Sequence, residues 1–142
     1  MSFLSSSISE HINEGDIVIH LARTIRPSTR LKNYTTDIQD NIIGTLNLYE
    51  IAVTNKAKRF IYVNSGGTIY GNAIDHKPIR ENQSKDPVDL YGLSSLTTER
   101  YLRILSREKH TALTVLRVAN PYGPGQEFRR GQGIINLSLI HI

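Results

Sequence analysis

Residues 59–64 read Arg59-Phe-Ile-Tyr-Val-Asn64, a short run of β-branched and aromatic residues that ends just before a serine and two glycines. Comparable runs, rich in valine, isoleucine or leucine, occupy residues 16–22 and 112–118. Each run is nearly continuous in apolar residues, which is typical of strands buried on both faces of a parallel sheet. The sequence therefore predicts three strands of such a sheet at these positions.

Two helical patterns separate the predicted strands. Apolar residues recur at helical spacing over residues 37–54 and again over residues 90–109, and a serine-capped helix is predicted near residues 7–13. Alternating helices and strands imply right-handed βαβ crossovers, so we predict an α/β fold with a partial doubly wound parallel sheet and flanking helices. The first predicted strand would be an exposed edge of this sheet. We therefore expect that the first strands of the complete sheet are missing from this sequence.

The bulk composition is that of one globular domain. The chain has 142 residues, of which 39% are hydrophobic and 21% charged, and it contains no cysteine. The lack of cysteine excludes disulfides and cysteine-ligated zinc and agrees with a cytoplasmic location, and no apolar run approaches the roughly 18 residues of a membrane span. The net charge is +4, but the basic residues are scattered, which favours a solvated surface over a nucleic-acid interface. We expect no metal site and no nucleic-acid or membrane partner.

Two long loops, residues 65–89 and 119–133, begin where predicted strands end. Ligands of open α/β sheets bind at this carboxyl edge, so functional residues are expected there. The first loop opens with Ser65-Gly-Gly-Thr-Ile-Tyr-Gly71, and the next helix opens with Tyr91-Gly-Leu-Ser-Ser95, whose first and last residues share one helical face. The glycines and prolines of Arg117–Gln126 fix the shape of the second loop. Taken alone, each segment is most simply a turn.

Taken together and in order, five segments resemble motifs of the NAD-dependent epimerase/dehydratase family, which are extended short-chain dehydrogenases. The segments are His20-Leu-Ala22, Asn41-Ile-Ile-Gly-Thr45, Ser65–Gly71, Tyr91 and Arg117–Gln126. The resemblance implies that residues 1–136 are the central and C-terminal part of a Rossmann-like NAD(P)-binding domain. It also implies NAD as the cofactor and the epimerisation of a nucleotide sugar, such as a UDP-hexose, at C4 through a 4-keto intermediate.

The resemblance also assigns roles to individual residues. Tyr91 would be the catalytic base, Thr68 (preferred) or Ser65 its hydroxyl partner, and Ser95 stands where the family has a catalytic lysine. The residues implied in cofactor binding are Leu21, Ala22, Asn41, Asn64, Tyr91 and Tyr122, and those implied in substrate binding are Asn120 and Thr68. Relatives commonly dimerise through the two long helices, so a homodimer is a further expectation.

Three departures from the family pattern bear on activity. Ser95 carries no charge. The family's lysine at this position holds the nicotinamide ribose and favours the ionised form of the catalytic tyrosine. A free tyrosine side chain has a pKa of about 10. The usual serine or threonine of the active-site loop falls on Gly66, and Gly67-Thr68 replaces the acidic pair of the dehydratases, which favours an epimerase. A glycine-rich pyrophosphate loop is absent from the sequence.

These departures leave two other hypotheses open. Ser95 motivates a catalytically impaired relative that binds nucleotide or a partner chain, and the basic charge alone motivates a nucleic-acid-binding module. We also expect the chain to begin after the first three strands and to stop before the substrate-binding lobe, so that it would be inactive by itself. The last six residues, Leu137–Ile142, match the translated end of a transposon sequencing adaptor, and we expect them to be a non-native tail.

Overall fold

The computed structural model describes residues 7–25, 34–72 and 77–123. The described residues contain three strands, which are β1 Ile17–His20, β2 Arg59–Ser65 and β3 Ala112–Val118. Strand β2 lies in the middle of the sheet and pairs in parallel with β1 on one side and with β3 on the other. The predicted strands and the predicted parallel sheet are confirmed.

The helices also follow the predicted pattern, with one irregularity. The first long helix is made of α1 Tyr34–Asp37, a π-helical segment Ile38–Ile43 and α2 Gly44–Thr54. The second is α3 Leu90–Leu105, which continues into a short 3-10 turn. The sequence predicted the first helix as regular over residues 37–54, because apolar spacing does not register a single widened turn. Such turns are frequent at functional sites.

The hydrophobic core lies between β2 and the two long helices. Side chains of β2 alternate between the buried positions Phe60 and Tyr62 and half-buried ones, as a central strand with one well-covered face requires. Tyr49 and Ala52 of α2 and Leu102 of α3 are at most 1% exposed and pack against this face. The ring of Tyr49 meets that of Phe60 edge-on, with their centroids 5.3 Å apart. The core therefore fixes how α2 and α3 sit on the sheet.

The outer strand β1 is much less covered than β2. Ile17 and Ile19 are 55% and 57% exposed, and within the described residues β1 has a neighbouring strand on one side only. The expectation of further strands beyond β1 stays a prediction. No helix in the described ranges is long and apolar enough to cross a membrane.

Parallel pairing places the carboxyl ends of all three strands at one edge of the sheet. The chain leaves β1 at Leu21, leaves β2 at Gly66 and leaves β3 at Ala119. The start of α3 lies at the same edge, because its first turn contacts the short 3-10 turn Thr68–Tyr70 that follows β2. The residues predicted to act in catalysis are therefore brought together by topology.

Candidate active site

Tyr91 occupies the first turn of α3, where its side chain is half-buried at the carboxyl edge. Asp89 caps this helix by accepting a hydrogen bond of 2.6 Å from the amide of Gly92. A Cβ atom at Gly92 would lie only 2.6 Å from the carbonyl oxygen of Thr68, so the helix approaches the loop after β2 as closely as glycine alone permits. This contact places the Thr68 segment directly beside Tyr91.

Ser65 and Thr68 form a hydroxyl pair next to the start of α3. The Thr68 hydroxyl donates to Ser65 Oγ at 2.7 Å, and the Thr68 amide donates to the same oxygen at 3.3 Å. The hydroxyl of Tyr91 makes no hydrogen bond with either of them or with any other described residue. The sequence prediction of a Thr68–Tyr91 contact through a hydrogen bond or one water thus stays a prediction, and so do the catalytic roles of the three residues.

Gly66 explains why the hydroxyls lie at positions 65 and 68. Its amide donates to the carbonyl of Val118 at 2.7 Å, and a Cβ atom at this position would lie 2.7 Å from the amide nitrogen of Ala119. The backbones of β2 and β3 therefore meet too closely for a side chain. A serine or threonine at position 66 would force these two backbones apart.

Ser95 does not face the open edge. Its side chain is completely buried, and its hydroxyl donates to the carbonyl oxygen of Tyr91 one turn earlier at 2.6 Å. The backbone carbonyl of Ser95 accepts a hydrogen bond of 3.4 Å from Asn64. Ser95 is thus a packing residue in this structure, and it brings no charge to Tyr91.

The positive charge beside Tyr91 comes instead from Arg23, a residue that sequence reasoning missed. The guanidinium carbon lies 4.4 Å from the centroid of the Tyr91 ring, and Nη2 donates to the Tyr91 carbonyl at 3.0 Å and to the Ser94 hydroxyl. Nη1 donates to the hydroxyl of Tyr62 at 3.4 Å. A basic residue directly after His-Leu-Ala was the available signal, but its partner on α3 lies 68 positions further along the chain.

Asn41 determines the path of the loop that carries Arg23. Its buried side-chain amide accepts from the Thr24 amide at 3.0 Å and donates to the Thr24 hydroxyl at 2.8 Å. It also donates to Asp37 at 2.8 Å, so every polar hydrogen of this amide is used within the protein. The π-helical segment contains Asn41 and faces the residue after Arg23. The cofactor-binding role of Asn41 remains a prediction. In the structure, the Asn41 side chain fixes this loop through its hydrogen bonds to Thr24.

The comparisons with known proteins agree with this arrangement. A sequence model of the NAD dependent epimerase/dehydratase family matches residues 4–141. The chain belongs to that family. The resemblance inferred from the motifs is confirmed, and so is the Rossmann-like character of the parallel sheet.

Several members of the family are similar to the chain in sequence or in structure. The dTDP-4-dehydro-6-deoxyglucose reductase of Escherichia coli is 36% identical over 86% of the chain, and a putative UDP-glucose 4-epimerase of Methanocaldococcus jannaschii is 30% identical over 93%. The structure of UDP-glucose 4-epimerase from Thermotoga maritima with UDP-glucose superposes on 86% of the chain with a TM-score of 0.77 and 34% identity. The chain spans 38%, 44% and 40% of the length of these three proteins.

His20, the last residue of β1, packs against α2 and the central strand. The hydroxyl of Thr45 donates to the carbonyl of Asn41 at 2.7 Å, so it accepts from His20 Nε2 at 2.9 Å. The imidazole also stacks on Tyr62 at a centroid distance of 6.0 Å. Burial, with a smaller contribution from the charge of Arg23, lowers the pKa of His20. These contacts make His20 a packing residue at the end of β1.

A buried polar network lies beneath the hydroxyl pair. Asn64 donates to Glu99 of α3 at 2.8 Å and accepts from the amide of Ser65 at 2.8 Å, and Arg117 of β3 donates to Glu99 through Nε at 3.0 Å. Burial by itself would raise the pKa of Glu99, but hydrogen bonds from Arg117, Arg103 and Asn64 outweigh it and lower the pKa to about 2. The predicted contact of Asn64 with a cofactor stays a prediction, because its polar atoms already have partners in the protein.

The remaining predicted residues line the edge without joining the cluster. Leu21 and Tyr122 are 71% and 70% exposed, and Ala22 and Asn120 are also exposed. Among the described residues, Asn120 makes no hydrogen bond with Ser65, Thr68 or Tyr91. Most of the second loop, residues 124–133, lies outside the described residues, as does the tail at 137–142. The structure thus brings the first turn of α3, which carries Tyr91, into contact with the segment of Thr68 and Ser65, and the other four residues lie exposed in the segments that follow β1 and β3.

Proposed function

We propose that this chain is the central part of a longer NAD-dependent epimerase that inverts C4 of a UDP-hexose through a 4-keto intermediate. The observation that carries the proposal is the close contact between Gly92, which follows Tyr91 in the first turn of α3, and Thr68, whose hydroxyl is paired with Ser65 at the carboxyl edge of the sheet, in a chain that belongs to this family. Support also comes from similar structures whose ligands are known. These are the Thermotoga maritima epimerase with UDP-glucose and a Bacillus cereus UDP-glucuronic acid 4-epimerase with NAD, the latter at 25% identity and a TM-score of 0.71.

Exposed residues at the edge around Tyr91 support a binding site for part of a dinucleotide. Leu21, Ala22 and Tyr122 expose apolar and aromatic groups there. Leu21 and Ala22 would contact the adenosine half of NAD, and Tyr122 the nicotinamide half. NAD, when bound, supplies the acceptor and the donor of hydride.

The residues of the chain itself would handle the proton. Tyr91 takes the proton from the C4 hydroxyl as the C4 carbon is oxidised, and it returns a proton to the oxygen after the 4-keto sugar has turned over. Thr68 and Ser65, already hydrogen-bonded to one another, hold the C4 oxygen and complete the relay. A positioned base of this kind contributes roughly 10²- to 10⁴-fold to the rate.

Replacing the base tests the proposal. The full protein that contains residues 1–136, called here the parent enzyme, is assayed for conversion of UDP-galactose to UDP-glucose in a coupled assay. We expect Tyr91→Phe to lower kcat by about 100-fold or more, because the proton acceptor is gone. Tyr34→Phe is the matched control, since Tyr34 is 67% exposed at the start of α1 and lies outside the site. Unchanged turnover in Tyr91→Phe would refute the assignment, and the 142-residue chain by itself is expected to be inactive.

A second candidate reaction is favoured by one comparison. The Escherichia coli relative, at 36% identity, is a reductase of a 4-keto dTDP-sugar. A reductase would use the same tyrosine but would oxidise one NADH or NADPH for each sugar reduced, whereas an epimerase consumes none. Loss of NADH absorbance with a 4-keto dTDP-sugar, combined with no interconversion of UDP-hexoses, would establish the reductase.

We also propose that the parent enzyme is a homodimer that pairs through its two long helices. The supporting feature is an apolar set on the outer side of α3, where Leu93, Tyr101 and Ile104 are 49%, 52% and 61% exposed. Scattered exposed apolar residues are common, but we expect three on one side of α3 to be covered by a partner copy. Light scattering should report a dimer, and Ile104→Glu should shift it to monomer. A monomeric parent enzyme would end this proposal.

A further inference from the structure

We infer that Arg23 supplies to Tyr91 the positive charge that the family's lysine would supply from position 95, an inference that rests on the proposed function. The guanidinium lies over the ring of Tyr91 at 4.4 Å and is bonded to the first turn of α3. Ser95 is buried and bonded to its own helix. The cation of the site has therefore moved from α3 to the loop after β1.

The charge of Arg23 is not neutralised by the protein around it. Its partners are a carbonyl oxygen, two hydroxyl groups and an aromatic ring, all of which are uncharged. In the described ranges Arg23 forms no ion pair with a carboxylate. The guanidinium stays protonated at every accessible pH, so this charge is permanent. It is thus available to an anion that forms at Tyr91.

The position over the ring suits a phenolate. Loss of the phenol proton spreads negative charge over the ring as well as the oxygen, and a cation within about 6 Å of the ring face is attracted even to the neutral ring. The neighbouring Tyr62 is only 3% exposed, and burial raises its pKa despite the opposing charge of Arg23. Tyr62 therefore stays protonated as a hydrogen-bond partner, and Tyr91, at the open edge, is the tyrosine that Arg23 can serve in catalysis.

Arg23 is also held firmly enough to orient Tyr91. Asn41 fixes the next residue, Thr24, through two hydrogen bonds. Nη2 is bonded to the Tyr91 carbonyl and to Ser94, so the guanidinium is fixed relative to the same helical turn that carries the ring. The two halves of the contact cannot drift apart without breaking these bonds. Arg23 is accordingly a positioning residue as well as a source of charge.

This placement changes what a lysine at position 95 should do. From the sequence alone, Ser95→Lys in the parent enzyme is expected to raise the rate by a large factor. With Arg23 already beside Tyr91, the gain should be less than about 10-fold, because a second cation adds little to a stabilised phenolate. In an enzyme that lacks Arg23, the same lysine should restore most of the lost rate. The two substitutions are therefore expected to be strongly non-additive.

The activity test uses the parent enzyme with Arg23→Ala, Ser95→Lys and both changes together. We expect Arg23→Ala to lower kcat about 100-fold near neutral pH with a smaller effect on KM, and the deficit to shrink as the pH rises and deprotonates Tyr91 without help. Arg23→Lys should keep most of the activity, and the double variant should recover most of it. Arg100→Ala is the matched control, because Arg100 is exposed on α3 and outside the site. Wild-type or higher activity in Arg23→Ala would overturn the inference and identify Arg23 as an obstruction.

A second readout does not depend on turnover. The ultraviolet absorbance of tyrosinate is recorded against pH, and the Tyr91 signal is isolated by subtracting the Tyr91→Phe protein. It should appear at lower pH in wild type and Arg23→Lys than in Arg23→Ala; circular dichroism confirms that each variant is folded. Coincident curves would reject the inference. If wild type turns over no sugar but the curves separate, the proposed function fails while the role of Arg23 stands. If wild type turns over sugar and Arg23→Ala does so equally well, the proposed function stands while the role of Arg23 fails.

Discussion

Two arginines flank α3, and they meet it in different ways. Arg117, from β3, donates to both carboxylate oxygens of the buried Glu99, and its side chain is only 14% exposed. Among the described residues, Arg23, from the loop after β1, reaches only neutral groups and the ring of Tyr91. The first charge is cancelled inside the protein, so Arg117 holds elements together. The second is not, so Arg23 is left to act on whatever anion arises at the edge.

The largest expected effect concerns the ion pair between Glu99 and Arg117. Glu99→Gln should lower the free energy of unfolding by about 3 kcal/mol, because it leaves Arg117 buried without a counter-charge. The measurement is urea unfolding followed by circular dichroism at neutral pH. Glu50→Gln on α2 is the control, since Glu50 is exposed, and it should change the stability by less than about 0.5 kcal/mol. Equal, small losses in both variants would mean that the pair contributes no more than a surface one.

Acid should remove the contribution of Glu99 in a defined range. Its pKa is lowered from the ordinary value of 4.5 to about 2 in the folded protein. A carboxyl group whose pKa is lowered by folding stabilises the folded protein fully at pH values above its pKa in the unfolded chain. This stabilisation is lost as the pH falls through the pKa in the folded protein, so roughly 3 kcal/mol should disappear between these two pH values. Unfolding of wild type and Glu99→Gln should therefore converge as the pH drops from 5 toward 2. A gap that stays constant would show that the carboxylate charge is not what stabilises the pair.

Gly66 and Gly67 are neighbours in the chain, but only Gly67 has space for a side chain. A side chain at Gly66 would meet the β3 backbone at 2.7 Å, whereas a Cβ at Gly67, with φ of −111°, has no atom within 4 Å. We expect Gly66→Ser to cost about 1–3 kcal/mol through overpacking and Gly67→Ser to be nearly neutral. Thermal unfolding of the two variants measures the difference. A harmless Gly66→Ser would show that β2 and β3 can separate at this point.

The fold was predictable from sequence because its signals are local. Apolar runs located the three strands, and helical periodicity located α3 to within one residue at its start. Tyr91, Thr68 and Ser65 were proposed from the family resemblance and their catalytic roles stay predictions, but parallel pairing explains why the segments that carry them lie at one edge of the sheet. Arg23 was missed because its partners are 39 to 71 positions away, and no local pattern tells which ring a loop arginine will cover. The meaning of Gly66 was also hidden, since it depends on the backbone of another strand.

Of the two arginine sites, the smaller expected effect on stability is at Arg23. Arg23→Gln removes hydrogen bonds to the Tyr91 carbonyl and to Ser94, each worth about 1 kcal/mol, but it also removes a buried Nε–H that has no partner and the cost of desolvating a charge. These opposing terms should leave a loss of about 1 kcal/mol or less, well below that of Glu99→Gln in the same urea experiment. A loss as large as that of Glu99→Gln would make Arg23 a structural residue like Arg117, and the contrast between the two arginines would fail. A small loss of unfolding free energy combined with a large fall in kcat would place the contribution of Arg23 at Tyr91. An interaction that forms only during the reaction affects the rate but not the stability of the fold.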